Sequence, residues 1–270
     1  MDDGPEHCVL RITQAPDGAL MIIAQISDTH IALDAADADQ RISDFARTIA
    51  HINTLDPQPD VIVHTGDVVH NGRPDEYARA LATVGEARAP VYVLAGNKDD
   101  RANLRAAFSA SGYLEPGSGF IQYAIEGFPI RMLMVDTLST TSNKGDFCAE
   151  RARHLIEMID ADPAKTIAVF AHHPPFEILV GPDRLHFDDP AATERLRGAL
   201  QHSGRVVGLF CGHVHRPTTG TVGHIPATVA TSLATTLRKG EYPVDAKDRP
   251  IYLLHRFGAD GRFVTEPQIV

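Results

Sequence analysis

Met21-Ile22-Ile23-Ala24-Gln25-Ile26 runs almost wholly apolar for six residues and then stops on Ser27-Asp28-Thr29-His30. A short β-branched run ending at a polar corner reads as a buried strand. The same rhythm recurs at residues 61–63, 91–94, 130–135, 167–170, 206–210 and 251–254. Between these runs, Ile42, Phe45, Ile49 and Ile52 repeat at helical spacing. Tyr77, Leu81 and Val84 do so after Pro74-Asp75-Glu76, a helix start. Leu155, Ile156 and Ile159 mark a helix before residue 167, and Leu196 with Leu200 mark one before residue 206. Strands alternating with helices predict an α/β class. Residues 174–190, and the segment from 217 onward, read as richer in loops and turns. No internal repeat, low-complexity tract or linker divides residues 21–270, which read as one domain. Residues 1–20 read as an N-terminal extension without a catalytic role.

Composition narrows the function. The 270 residues carry 43% hydrophobic and 22% charged side chains, ordinary for a globular domain with a sizeable core. Lys plus Arg number 25 against 35 Asp plus Glu, a formal charge of −10. That balance argues against a general nucleic-acid or anionic-membrane binder, whose footprint is basic. No run of 18 apolar residues occurs, so a membrane span is not expected. Three cysteines, Cys8, Cys148 and Cys211, form no disulfide framework, and a reducing, cytoplasmic setting is the simplest expectation.

The chemistry collects where the apolar runs end. In order along the chain stand Ser27-Asp28-Thr29-His30, His64-Thr65-Gly66-Asp67, Gly96-Asn97-Lys98-Asp99-Asp100, Ala171-His172-His173-Pro174-Pro175 and Cys211-Gly212-His213-Val214-His215. The carboxyl ends of strands are where α/β folds place their sites. Asp28 and His30 are two apart, as are His213 and His215, and in extended backbone such pairs face one side. Gly66, Gly96 and Gly212 permit tight turns or close backbone approach beside these donors. Carboxylate, imidazole and amide donors without thiolate suit Mn, Fe, Co or Zn ions. One carboxylate shared by two ions would hold them about 3.5–4 Å apart, the arrangement that serves phosphoester displacement.

These five ordered blocks resemble the calcineurin-like metallophosphoesterases, and most closely the bacterial class III cyclic-nucleotide phosphodiesterases and related glycerophosphodiesterases. The narrower likeness is carried by Gly66-Asp67-Val68-Val69-His70-Asn71-Gly72-Arg73-Pro74 and by Gly96-Asn97-Lys98-Asp99-Asp100. The resemblance implies a four-layer α/β/β/α sandwich with two divalent or trivalent ions (Mn, Fe or Zn) above the strand ends. One ion would take Asp28, His30 and His215, the other Asn97, His172 and His213, with Asp67 bridging; His173 would stand behind them. It further implies hydrolysis of a small-molecule phosphodiester by a metal-bridging hydroxide. A 3',5'-cyclic nucleotide is placed first; the alternatives are a glycerophosphodiester or broad-specificity phosphoesterase and a non-catalytic metal-binding scaffold. A homodimer or higher homo-oligomer is expected from the same likeness.

Lys98 departs from the family pattern, which usually has His after the Asn. An ammonium is a weaker acid than an imidazolium by about four pKa units in water. Lys98 is therefore expected to stabilise the phosphate electrostatically. Asn97, Lys98 and His173 are the catalytic candidates, and His70, Asn71 and Lys98 the substrate contacts, with a solvated loop as the alternative for residues 70–73. Asp99 and Asp100 read as helix-starting carboxylates, Asp99 alternatively as a group that orients a neighbour. His64 is expected to border the core and Cys211 to act as a small buried hydrophobe. His7, His51, His154, His202, His224 and His255 belong to no constellation and read as structural or surface residues. His186 is left open.

Overall fold

The computed structural model describes residues 19–114, 119–180, 183–184 and 187–270. The extension read for residues 1–20 falls almost wholly outside them, as do His7, Cys8 and His186.

Two sheets form the centre. In the first, β1 (Met21–Ile26), β2 (Val61–His64) and β3 (Val91–Val93) run parallel. β12 (Ile251–Phe257) lies antiparallel beside β1, and β13 (Phe263–Ile269) antiparallel beyond it. In the second, β5 (Arg131–Val135), β6 (Ile167–Ala171) and β9 (Val206–Cys211) are parallel. β4 (Tyr123–Ile125) closes one edge. β11 (Ile225–Val229) and β10 (Thr218–Val222) extend the other. A two-stranded ribbon, β7 (Leu179–Val180) and β8 (Asp183–Arg184), stands apart.

Side-chain alternation builds the layers. Met132, Met134, Ala168 and Phe170 join a core that includes the first sheet, with Phe45 and Ile49 of α1 (Ala38–Ile52) and Tyr77 of α2 (Pro74–Val84). Their neighbours Leu133, Val135, Ile167 and Val169 point the other way, into a second core. There they meet Leu155 and Ile159 of α4 (Ala149–Asp160) and Leu196 and Leu200 of α5 (Pro190–Leu200). A strand buried on both faces reads as continuous apolar sequence because its period of two feeds two cores. Each large apolar side chain buried this way contributes about 1.5–3 kcal/mol. The result is the expected order of helix, sheet, sheet, helix. Among the described residues no helix is long and apolar enough to cross a membrane.

Three readings need correction. The segment from 217 onward, read as richer in loops and turns, also holds four strands, β10, β11, β12 and β13, of which only β12 was read. β10 and β11 turn through Gly223-His224 with Gly223 at φ +58°, the Gly-first two-residue connection typical of hairpins. On α2 the buried stripe is Tyr77, Ala80 and Thr83, whereas Leu81 is exposed. Finally, α3 (Arg101–Ala107) went unread beyond its start, because Leu104 is the one residue it buries and no apolar period announces it. Its start is Asp100, whose side chain accepts from Asn103 N at 2.8 Å. Asp99 does something else, described below.

Candidate metal centre

The parallel strands of both sheets end on the same rim: β1 leads into Asp28 and His30, β2 into Asp67, β3 into Asn97, β6 into His172 and His173, and β9 into His213 and His215. The pairs do converge, but not through extended backbone. Asp28, His30, Asp67, His213 and His215 have φ of 55°, 45°, 52°, 73° and 59°, and among the described residues no other non-glycine has positive φ. The left-handed region costs an L-residue about 1–2 kcal/mol. Here it turns each chain over its strand end so that the side chain drops back onto the rim. The short ladder Asp28 N to Gly66 O (3.0 Å) and His30 N to Asp67 O (2.9 Å) holds two of these turns together.

The glycines serve close approach. A Cβ on Gly96 would collide with the backbone N and carboxylate of Asp67. One on Gly212 would collide with Ser27 Oγ and Asp28 Oδ2.

Asp28, His30, Asp67 and His215 present donor atoms within 4.8 Å of one another, and His172, His173 and His213 form a second such group. Asp67 faces both. Its Oδ2 lies 3.4 Å from His30 Nε2, and its Oδ1 lies 3.6 Å from His172 Nε2 while accepting from Lys98 N at 2.7 Å. Asn97 Oδ1 is 3.2 Å from His172 Nε2. Asp28 Oδ2 accepts from Ser27 Oγ and from His213 N (3.0 Å), leaving Oδ1 turned to the cluster, 3.2 Å from His215 Nε2.

Neighbouring carbonyls set the tautomers. His172 Nδ1–H donates to Thr65 O (2.7 Å) and His215 Nδ1–H to Leu237 O (2.8 Å), so each Nε2 faces inward. Inward-facing imidazole nitrogens thus look onto carboxylate and amide oxygens, acceptor against acceptor. Such a buried arrangement is stable only with positive charge between the groups. The proton affinities agree. Burial lowers the His172 pKa, but Asp67 outweighs it and lifts it to about 9. For His215, Asp28 likewise overcomes burial and raises the pKa. Burial pushes Asp28 and Asp67 up, yet the facing histidines hold both well below the usual carboxylate range. Burial keeps His173 and His213 neutral, with their pKa values well below the ordinary value. Asp28 Oδ1, His173 Nε2 and His213 Nε2 are buried without hydrogen-bond partners. Orphaned donor atoms around shared carboxylate, imidazole and amide groups fit transition-metal ions.

Supporting groups surround the rim. Asp99 accepts from Gly96 N (2.9 Å), Val68 N (3.2 Å), Val69 N (3.3 Å) and Tyr77 Oη (2.9 Å), so it ties the Asp67 loop to the Asn97 loop. Burial, then Asp67, push its carboxyl up to about 7. His64 is fully buried, with Nε2 2.8 Å from Thr29 Oγ1 and Nδ1 accepting from Gly66 N. Burial lowers it to about 3, which makes it a brace bordering the core.

The remaining sequence candidates are placed as follows. Lys98 sits beside Asn97, its Nζ 3.5 Å from Asn143 Oδ1. His173 is fully buried, its Nδ1 2.9 Å from Thr137 Oγ1 and its ring 4.4 Å from that of His213. His70 Nδ1 lies 3.4 Å from His30 Nδ1. Asn71 gives both its backbone and its side-chain N–H to Glu76, inside the capping box of α2. Sequence reasoning missed Thr137, which meets His173, and Asn143, which meets Lys98; neither stands in a motif that would have marked it.

The structure is thus a two-sheet α/β sandwich with Asp, His and Asn at the strand ends. A model of the calcineurin-like phosphoesterases matches residues 21–217, and the chain belongs to that family. It is 32% identical over 243 residues to a probable glycerophosphodiester phosphodiesterase, GpdQ, of Arcobacter nitrofigilis, covering 87% of this chain and 88% of that one. It is 28% identical over 227 residues to a cAMP/cGMP dual specificity phosphodiesterase of Mycobacterium tuberculosis, covering 78% of this chain and 67% of the other. A dimetal phosphatase from Danio rerio shares the fold, with a TM-score of 0.69 at 16% identity over 92% of this chain and 96% of that one.

Proposed function

We propose that this chain hydrolyses phosphodiesters at a two-ion centre, with Asp28, His30 and His215 on one ion, Asn97, His172 and His213 on the other, and Asp67 shared. The observation that carries the reading is Asp67, whose two carboxylate oxygens face two separate groups of inward-turned donors. When bound, such ions lower the pKa of water and neutralise charge on the phosphoryl oxygens. The chain's own part is positioning. The carbonyls of Thr65 and Leu237 keep the His172 and His215 Nε2 atoms turned inward. Lys98 brings a positive charge beside Asn97, where an ammonium attracts the diester anion and donates to its oxygens. His173, closed off from solvent, steadies His172 and His213 from behind.

The relative at 32% identity favours a glycerophosphodiester substrate over the cyclic nucleotide that the motif reading placed first. The complete donor set speaks against a non-catalytic scaffold. The described cysteines, Cys148 and Cys211, are both unpaired, in keeping with a cytoplasmic site of action. The test is a panel of glycerophosphoethanolamine, 3',5'-cyclic AMP, bis-p-nitrophenyl phosphate and p-nitrophenyl phosphate with Mn²⁺, Fe²⁺ or Zn²⁺. Turnover of the diesters ahead of the monoester, led by the glycerophosphodiester, is expected. Metal uptake without turnover of any diester would contradict the proposal.

A further inference from the structure

A polar chain crosses the seam between the two sheets. Met132, Met134, Phe170, Phe210, Tyr252 and Leu254 belong to the apolar core there. Yet Gln25 on β1 and His255 on β12 are fully buried with them. Gln25 Nε2 donates to Thr65 Oγ1 (3.0 Å) and to Cys211 O (2.9 Å). Gln25 Oε1 lies 2.9 Å from His255 Nε2, and His255 Nδ1 lies 2.8 Å from Thr265 Oγ1. Thr65 Oγ1 donates onward to Ile26 O at 3.3 Å. One proton arrangement satisfies every group. The His255 Nε2–H donates to the amide oxygen, Nδ1 accepts the Thr265 hydroxyl, and both amide hydrogens are used.

The ends of this chain fall at the rim. Cys211 closes β9 two residues before His213, and Thr65 follows β2 two residues before Asp67. The Thr65 carbonyl also receives the Nδ1–H of His172. Gln25 itself precedes Asp28 by three residues. One amide therefore joins the strand ends that deliver Asp28, Asp67 and His213, across both sheets. An apolar pair of similar volume would serve stability at least as well, because desolvating an amide and an imidazole is costly. What an apolar pair lacks is direction: it cannot fix where β9 ends relative to β1 and β2.

We infer that Gln25 is a positioning residue for the metal centre and that His255 orients its amide. The inference rests on the two-ion reading above. Its test is Mn²⁺ affinity, measured by chelator competition on the full chain. The variants are Gln25→Leu, His255→Phe and, as a control from the same seam, Phe170→Leu. Gln25→Leu is expected to weaken Mn²⁺ binding about tenfold or more, the size of effect seen when groups behind metal ligands are removed. His255→Phe is expected to weaken it less, and Phe170→Leu to lower Tm with the affinity unchanged. Wild-type affinity in both Gln25→Leu and His255→Phe would overturn the inference. So would an equal loss in Phe170→Leu, which would signal general loosening. If Gln25→Leu fails to fold, His255→Phe against the control decides alone. Absence of Mn²⁺ uptake by the wild-type chain would overturn the two-ion reading, and this inference with it.

Discussion

At the scale of single residues, backbone strain and close approach are concentrated where the donors stand. Five left-handed residues, all carrying donor side chains, hold conformations that cost about 1–2 kcal/mol apiece. Gly212 shows how little room is left. Its hydrogen points at Ser27 Oγ and Asp28 Oδ2, whereas exposed Gly198 on α5 has open space around it. Gly212→Ala is expected to destabilise by about 1–3 kcal/mol through overpacking. Gly198→Ala is expected to stabilise by about 0.5–1 kcal/mol through helix propensity. Urea melts of the two variants check the contrast, and equal effects would refute it. Lys98 is tested differently. Lys98→His introduces a group that titrates near neutrality, so the pH–rate profile for a poor leaving group should gain a limb in that range. An unchanged profile across substrates would remove Lys98 from the phosphate.

Among the elements, the strands that bury both faces were legible, because their apolar runs are unbroken and their polar corners abrupt. So were α1, α2, α4 and α5, each through its apolar repeat or its start signal. β10 and β11, at one end of the second sheet, and β13, at one end of the first, were not. β10 and β11 are built from Thr, Gly and Pro as well as Val, and β13 carries Pro267, a residue tolerated at a sheet edge. Half-buried strands need no continuous apolar run, so periodicity passes over them. The site corners were readable because their donors cluster locally, whereas the Gln25–His255 bridge spans 230 positions and only folding reveals it. β12 also carries a pH signature through that bridge. Burial lowers the His255 pKa to about 3, below the ordinary value of 6.5 that the unfolded chain approaches. A histidine held neutral in this way contributes stability that is fully present above pH 6.5 and lost as pH falls toward 3. Between pH 7.5 and 5 the loss is about 2 kcal/mol. His255→Phe should flatten the stability–pH curve by that amount relative to wild type. Parallel curves for the two proteins would contradict it.

For the whole molecule, the two sheets matter because neither alone holds a complete site. The first sheet delivers Asp28, His30, Asp67 and Asn97; the second delivers His172, His173, His213 and His215. The net charge of −10 gives an anionic diester no general attraction, so binding depends on positive charge confined to the rim. Everything then turns on whether two cations share Asp67. Anomalous diffraction from crystals of the Mn²⁺-loaded protein measures this directly. Two peaks about 3.5–4 Å apart on either side of the Asp67 carboxylate are expected. A single peak, or none at saturating Mn²⁺, would contradict the account.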